Sequence, residues 1–191
     1  MESRKLADVT RRDRAVRDDA WIESLLQRAP FGALATVEDG QPFINVNLFA
    51  YDRERRAIYF HTARRGRTRS NVERAARVCF SVSEMGRLLP ADTALNMSVE
   101  YASVIVFGSA SVVADSGEAG RALQLLLDKY FAHLQPDRDY RPSTDDELAR
   151  TSVYCIQIEQ WSGKRKQVAA DFPGAFVYEQ WKTKDDSNGY F

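Results

Sequence analysis

Residues 31–62 read FGALATVEDGQPFINVNLFAYDRERRAIYFHT, and they carry the clearest strand and turn signals of the chain. It contains three apolar segments of strand length, at 31–37, 42–51 and 57–62, which polar turns separate. The first turn carries Asp39-Gly40, a pair that is typical of a tight β-hairpin. Strands joined by such short turns pair antiparallel, because a parallel pair needs a long crossover between its strands. The stretch therefore predicts a three-stranded antiparallel meander.

The flanking sequence predicts further strands and several helices. Asp18 is a good N-cap for a helix at 19–29, which Pro30 ends. Residues 85–98 show no period, and we expect them to form a long loop. Further strands are predicted at 78–84, 99–114 (bent at Gly108) and 152–161, and further helices at 67–76, 117–134 and from 144 onward. This pattern predicts a mainly β, α+β fold, a closed or nearly closed antiparallel barrel with helices packed on it.

Length and composition are those of an ordinary globular protein. The chain has 191 residues, of which 44% are hydrophobic and 28% charged. We expect one main domain at 17–165, preceded by a polar arm at 1–16. A charged tail at 166–191 is expected to pack on the domain or on a dimer partner. No segment approaches the ~20 apolar residues of a membrane helix, so no membrane partner is expected.

Net charge and cysteine content indicate which kinds of binding partner and which cellular compartment to expect. Lys+Arg and Asp+Glu both number 27, and this balance argues against nucleic acid as the main partner. The first residues lack the apolar core of a signal peptide. Cys79 and Cys155 lie far apart in apolar segments, and we interpret them as buried, reduced thiols. These features predict a cytoplasmic location.

The third predicted strand runs into an unusual junction at 59–71, YFHTARRGRTRSN. The strand ends near His61, Gly66 opens a helix, and four arginines crowd the junction. Backbone N–H groups at a helix start and guanidinium groups both bind anions, phosphate above all. The pattern therefore predicts a corner that binds a phosphorylated ligand beside an imidazole, with Arg67 as the main contact.

These residues also have an ordinary structural explanation. A histidine at a strand end can hydrogen-bond a neighbouring loop, and arginines at a helix start often form a solvated face. On that view Arg64 and Arg69 are surface residues. The position of His61 beside Arg65 and Gly66 favours the functional interpretation.

The sequence lacks the motifs of several other common binding sites and active sites. It contains no P-loop, no dinucleotide-binding Gly-x-Gly-x-x-Gly and no Gly-x-Ser-x-Gly nucleophile elbow. The two histidines, His61 and His133, are far apart, and there is no cysteine cluster. No metal site is therefore predicted.

Several motifs together resemble a known family. They lie at 32–36 (GALAT), 40–43 (GQPF), 59–63 (YFHTA) and 66–67 (GR). In this order they are similar to the pyridoxamine 5′-phosphate oxidase-related flavoproteins, which are FMN-binding split β-barrels. The resemblance covers roughly residues 14–165. Segments that resemble the nitroimidazole-resistance (Nim) branch of that superfamily lie at 82–86, 89–90, 98–108, 150–154 and 161–164.

The resemblance implies an antiparallel split β-barrel that forms a homodimer with two FMN sites at the subunit interface. It implies that His61 lies at the reactive end of the site and is catalytic. It also implies that residues 161–164 reach the site from the partner chain. The cofactor-binding residues implied in this way are Asn45, Val46, Asn47, His61, Thr62, Ala63, Arg65, Gly66, Arg67, Thr68, Ser103, Trp161, Ser162 and Lys164.

The chain departs from the true oxidases of the superfamily at two places. They carry Ser-Arg-Lys where this chain has Gly66-Arg67-Thr68, so we expect Arg65 or Arg69 to replace the lysine as a phosphate contact. They also carry a C-terminal histidine segment for pyridoxal phosphate, whereas this chain has no histidine after His133. Vitamin-B6 oxidase activity is therefore not expected.

Two functions of different classes follow from the resemblance. The first is an FMN-dependent reductase that takes a hydride from NAD(P)H and reduces a nitroimidazole-like or related small acceptor. The second is a non-catalytic module that binds a flavin or a small anion at the same place. Haem binding by the histidine is a third alternative.

Overall fold

Eight strands and four helices form within residues 6–178, the part of the chain that the computed structural model describes. Asp18 caps the first helix as predicted, because its carboxylate accepts from the backbone N–H groups of Ala20 and Trp21. The helices are α1 (Asp19–Arg28), α2 (Arg67–Arg74), α3 (Ser116–Tyr130) and α4 (Asp145–Ala149). The strands are β1 (Ala15–Val16), β2 (Gly32–Glu38), β3 (Gln41–Asn47), β4 (Ala50–Asp52), β5 (Ala57–Ala63), β6 (Arg77–Leu89), β7 (Ser98–Val112) and β8 (Thr151–Lys166).

The strands form one antiparallel sheet in the order β3-β2-β6-β7-β8-β5-β4, with β1 paired to β8. β3 and β4 lie at opposite ends of that order, yet only Leu48 and Phe49 separate them in the chain. Two edge strands joined by so short a link lie close together, so the sheet curls into a barrel that is split between them. The predicted mainly β split barrel with packed helices is confirmed.

The predicted meander is wrong, because the segment 42–51 forms two strands instead of one. β3 pairs with β2, whereas β4 pairs with β5, and β5 pairs with the last strand, β8. The break falls at Phe49, whose side chain is fully buried. The Tyr130 hydroxyl and the Lys129 ammonium of α3 bond to the Phe49 backbone at 3.0 to 3.1 Å. Helix α3 therefore takes the backbone groups that a continuous strand would offer to a neighbouring strand.

The predicted loop at 85–98 is also wrong in its first part. Its first residues belong to β6, which continues to Leu89. The register of the β6–β7 pair shifts between Met85 and Leu88. A bulge of this kind breaks the two-residue alternation of a strand, so the sequence shows no period there. The bend predicted at Gly108 is confirmed, since the β7–β8 register shifts at that residue.

The barrel interior and a smaller cluster beneath α3 form the core. Helix α1 places Ile22, Leu25 and Leu26 in the main core, as their spacing predicts. Strands β5 and β8 add the stacked rings of Phe60 and Tyr154, whose centroids lie 4.7 Å apart. The smaller cluster consists of Ala57, Tyr59, Ala119, Ala122 and Val153.

Both ends of the described chain pack on the barrel. Strand β1, in the predicted arm, pairs with β8. Beyond β8, Phe176 forms a β-bridge with Leu88, and Arg87 donates hydrogen bonds to the backbone carbonyls of residues 169 and 170. The part of the predicted tail after residue 178 lies outside the described residues.

Candidate functional site

The predicted phosphate corner lies where β5 ends and α2 begins. The backbone of Gly66 has a φ of 153°, which residues with a side chain rarely adopt. Gly66 is the N-cap of α2 and offers no side-chain oxygen to the N–H groups at the helix start. Those N–H groups, at the positive end of the helix dipole, are available to an anion.

Strand β3 is held against this helix start by side chains that the sequence singled out. Asn45 donates through Nδ2 to Thr68 Oγ1 at 2.9 Å and to Asn47 Oδ1 at 3.3 Å. Thr68 is buried, whereas Arg67 is exposed, and the Arg67 guanidinium carbon lies 4.9 Å from the centre of the Phe43 ring. The corner site therefore consists of Phe43, Asn45, Asn47, Gly66, Arg67 and Thr68.

A buried amide that the sequence pattern did not reveal fixes α2 to β2. Asn71 is fully buried, and its side-chain oxygen accepts from the Thr36 hydroxyl at 2.7 Å. Its nitrogen donates to the Glu38 carboxylate at 3.0 Å and to the Arg67 backbone carbonyl at 3.1 Å. Asn71 lies one helical turn after Arg67, and Thr36 occupies an inward position of β2. Polar residues at inward positions are the signal that identifies such a pair, because buried polar groups need partners.

His61 lies near the end of β5, on the face opposite to Phe60, which is fully buried as the alternation predicts. The residue is exposed, yet partial burial of the imidazole lowers the pKa of His61. Within residues 6–178 no other group hydrogen-bonds the imidazole, so the alternative role in bonding a neighbouring loop finds no support there. His61 is therefore an accessible imidazole whose neutral form is favoured by partial burial.

The other predicted residues of this segment divide between the barrel interior and the surface. The Thr62 hydroxyl lies 3.1 Å from a buried tyrosine hydroxyl and faces the interior. Ala63 and Arg65 are exposed. Arg69, interpreted from the sequence as a surface residue, is half-buried, because its guanidinium donates to Ser152 Oγ at 2.9 Å.

Four predicted residues, Ser103, Trp161, Ser162 and Lys164, lie elsewhere and form what we call the β8 group. Ser103 of β7 pairs with Lys164 of β8, and Ser162 lies on the same face of β8 as Lys164. Trp161 points to the opposite face, where its indole N–H donates to Asp19 Oδ1 at 2.8 Å. Trp161 therefore packs against α1 and the core in its own chain.

Within one chain the β8 group lies across the sheet from the corner site. Asn45 of β3 pairs with Leu34 of β2, which pairs with Phe80 of β6. Phe80 pairs with Val106 of β7, and Val106 pairs with Trp161 of β8. Trp161 is therefore four strands from Asn45, at most about 19 Å along the sheet at ~4.8 Å per strand.

The described residues contain neither a metal centre nor a disulfide. Residues 6–178 hold no group of three His, Cys, Asp or Glu side chains that could bind a metal ion. Cys79 and Cys155 are free, and burial raises the pKa of both thiols, so they are protonated at neutral pH. None of the helices in this part of the chain is long and apolar enough to cross a membrane.

The fold and the corner site define a split-barrel protein with a helix start open to an anion. The sequence model of the family described as pyridoxamine 5′-phosphate oxidase matches residues 18–165, well over half of the chain. The chain therefore belongs to the pyridoxamine 5′-phosphate oxidase family, and the resemblance to that superfamily is confirmed. A comparison with curated protein sequences finds no match.

Several solved structures share this fold. The flavocytochrome Anf3 from Azotobacter vinelandii has a TM-score of 0.73 at 21% identity, covering 97% of this chain and 80% of its own. The FAD and heme binding protein from Mycobacterium smegmatis has a TM-score of 0.71 at 23% identity, covering 93% and 81%. A proposed 5-nitroimidazole antibiotic resistance protein from Bacteroides thetaiotaomicron VPI-5482 has a TM-score of 0.66 at 20% identity, covering 79% and 86%. At these identities the likeness establishes a common fold.

Proposed function

We propose that this protein binds FMN at the corner site and acts as a flavin-dependent reductase. NAD(P)H is the electron donor, and a nitroimidazole-like or related small molecule is the acceptor. The observation that carries the proposal is the uncapped start of α2 at Gly66, with Arg67 beside it and β3 tied to it through Asn45 and Thr68.

The corner site suits the phosphate of a flavin. The helix start supplies N–H donors and partial positive charge, and the Arg67 guanidinium can pair with two phosphate oxygens. The bond between Asn45 and Thr68 holds β3 and α2 in one arrangement before any ligand arrives, which lowers the cost of ordering the site. Arg65 supplies a second positive charge in place of the lysine of the true oxidases.

Family membership and the named relatives support a flavin at this place. The family takes its name from an oxidase of this fold. One similar structure is called a flavocytochrome, and another is described as binding FAD and heme. The likeness to the proposed 5-nitroimidazole resistance protein supports assignment to the Nim branch and the choice of acceptor. A cytoplasmic location, where NAD(P)H is available, is part of the proposal.

We assign His61 the role of delivering a proton to the acceptor. A bound flavin accepts a hydride from a nicotinamide and passes two electrons on. Reduction of a nitro group to a nitroso group takes up two electrons and two protons and releases water. The hydride of NAD(P)H accounts for two electrons and one proton, so one further proton is needed. The lowered pKa of His61 makes its protonated imidazole a stronger acid, and its exposure lets solvent reload it.

A second copy of the chain completes the site in this proposal. Ile44 and Val46 on β3 are 64% and 61% exposed, and Val37 on the paired strand β2 is 50% exposed. A cluster of exposed apolar side chains on an edge hairpin favours association with a partner. The β8 group lies four strands from Asn45 in the same chain, and in this proposal it contributes to the flavin site of the partner across the homodimer interface. Val46→Glu should therefore yield a monomer in light scattering, and an unchanged dimer would contradict this interface.

Flavin titration tests the proposal directly. Quenching of FMN fluorescence by the purified protein should saturate, and Arg67→Ala should raise the Kd for FMN at least about tenfold, since a charge-assisted bond is lost. Arg77→Ala is the control, because Arg77 is an exposed arginine that pairs with Glu159 on the neighbouring part of the sheet. A wild-type protein that takes up no FMN would overturn the proposal. FMN binding without NAD(P)H oxidation would favour the non-catalytic module instead.

A further inference from the structure

A basic groove runs along α2 next to the corner site. A cavity of about 540 Å³ opens there, and its charged walls are Arg64, Arg65, Arg69, Glu73 and Arg74. We call these five residues the arginine groove. It begins beside Gly66, the N-cap of α2, and extends to the last residue of the helix.

The arginine groove carries an excess of positive charge, with four guanidinium groups against one carboxylate. That carboxylate, Glu73, is already bonded to Arg69 at 2.7 Å. Arg74 pairs at 2.9 Å with Glu38, which lies outside the groove. Arg65, assigned above to the flavin phosphate, lies next to Gly66 at one end of the groove and adds to its positive potential. Guanidinium groups gathered in this way favour a bound anion that carries more than one charge.

The groove occupies a different side of α2 from the corner site. Thr68, Asn71 and Val72 face the sheet and are buried, whereas the side chains at 69–70 and 73–74 form the opposite side of the helix. The eight residues of α2 span about 12 Å at ~1.5 Å per residue. A flavin phosphate at the helix start therefore leaves most of the groove unoccupied.

We propose that the arginine groove binds the 2′-phosphate on the adenosine end of NADPH, which makes NADPH the preferred electron donor over NADH. This inference rests on the proposed function, because a nicotinamide donor is needed only if a flavin is bound at the corner site. The groove lies directly beside the helix start that is proposed to hold the flavin phosphate, so a donor bound next to the flavin would have this cluster of guanidinium groups within its surroundings.

The chemistry of the groove distinguishes the two donors. A 2′-phosphate is a dianion, and a guanidinium group can pair with two of its oxygens and stack on the adenine ring. A binding site for NADH instead presents a carboxylate to the free ribose hydroxyls. The one carboxylate of the arginine groove, Glu73, is held by Arg69. The groove therefore suits the phosphorylated ribose.

Steady-state kinetics of the FMN-loaded protein tests this inference. The KM for NADPH should be at least about tenfold lower than the KM for NADH. Arg74→Ala should raise the KM for NADPH about tenfold and leave the KM for NADH and the Kd for FMN unchanged. Arg77→Ala, outside the groove, should change neither KM. Equal KM values in the wild type, or a parallel rise of both in Arg74→Ala, would overturn the inference while leaving a flavin-dependent reductase intact. A protein that binds no FMN would overturn both proposals.

A binding measurement provides a second readout that does not depend on turnover. Arg64 lies on the groove wall, and among residues 6–178 its guanidinium bonds only the backbone carbonyl of Ala149, so Arg64→Ala should fold normally. Calorimetry of the FMN-loaded wild type should show tighter binding of adenosine 2′,5′-bisphosphate than of AMP. Arg64→Ala should weaken binding of the bisphosphate and leave binding of AMP unchanged. Equal binding of the two nucleotides by the wild type, or an equal loss of both in Arg64→Ala, would contradict the assignment.

Discussion

Asn45 donates a hydrogen bond to Thr68 Oγ1 at 2.9 Å, and this bond ties an edge strand of the barrel to the start of α2. The two residues are 23 positions apart in the chain. By resemblance, Thr68 stands at the position where the true oxidases of the superfamily carry a lysine. In the proposed function the bond to Asn45 orders the corner site, and the neighbouring arginines supply the positive charge.

Replacing Thr68 tests whether that bond orders the corner site. Thr68→Val keeps the shape of the side chain and removes the acceptor of the Asn45 amide. Loss of one hydrogen bond costs about 1 kcal/mol, so the Kd for FMN should rise roughly fivefold in a fluorescence titration. Gln41→Ala is the control, because Gln41 is an exposed residue of β3, the strand that carries Asn45. An unchanged Kd in Thr68→Val would show that the bond does not contribute to binding.

Gly66 should resist substitution because of its backbone and not because of crowding. Its φ is 153°, and a side chain there would meet nothing within 4 Å. Gly66→Ala should therefore lower the free energy of unfolding by about 1–3 kcal/mol, measured by urea denaturation. Gly120→Ala is the control, since Gly120 lies inside α3 with equally open surroundings. Alanine at that helical position should stabilise by about 0.5–1 kcal/mol, and equal effects of the two substitutions would be inconsistent with backbone strain at Gly66.

His61 should be needed for turnover but not for cofactor binding. His61→Ala removes the group assigned to proton delivery, and general acid catalysis is typically worth about 10²–10⁴ in rate. Acceptor reduction should fall by at least about a hundredfold while FMN stays bound. His133→Ala, which changes an exposed histidine after α3, should leave the rate unchanged. Loss of FMN together with activity would assign His61 to binding instead.

The contact between Arg87 and Glu100 should make stability depend on acidic pH. The hydrogen bonds from the Arg87 side chain and from the Val168 N–H lower the pKa of Glu100 to about 2. Because this pKa lies below the ordinary value of 4.5, the ionised carboxylate stabilises the fold at neutral pH. That contribution is lost as the pH falls from about 4.5 to about 2. Urea unfolding should show a steeper loss of stability over this range in the wild type than in Glu100→Gln.

Glu54→Gln is the control for that measurement, because Glu54 is an exposed residue of the turn between β4 and β5. Its pH dependence should match that of the wild type. Identical pH dependence in Glu100→Gln and the wild type would show that the contact with Arg87 does not contribute to stability.

Local signals in the sequence predicted most elements correctly. The Asp18 cap, the turn at Asp39-Gly40 and the bend at Gly108 each act over a few residues, and the structure contains all three. The error at Phe49 arose because the strand break depends on Lys129 and Tyr130, about eighty positions later. No local pattern contains that information.

In the candidate site, too, some features follow from adjacent residues and others depend on distant elements. The placement of Gly66 and Arg67 at a helix start was readable from adjacent residues. The role of Asn71 was not, since its burial depends on Thr36 and Glu38 of another element. The separation of Trp161 from the corner site likewise follows from strand order in the sheet.

From the sequence alone follow the mainly β class, the bounds of most elements, the arginine-rich helix start after β5 and the family. These depend on propensities and motifs whose residues lie close together in the chain. Only the tertiary structure decided that β3 and β4 are the two edges of a split barrel, that Asn45 meets Thr68, and that four arginines share one groove on α2. Each of these depends on packing between elements distant in sequence, whose hydrogen bonds and buried surfaces are set by the whole fold.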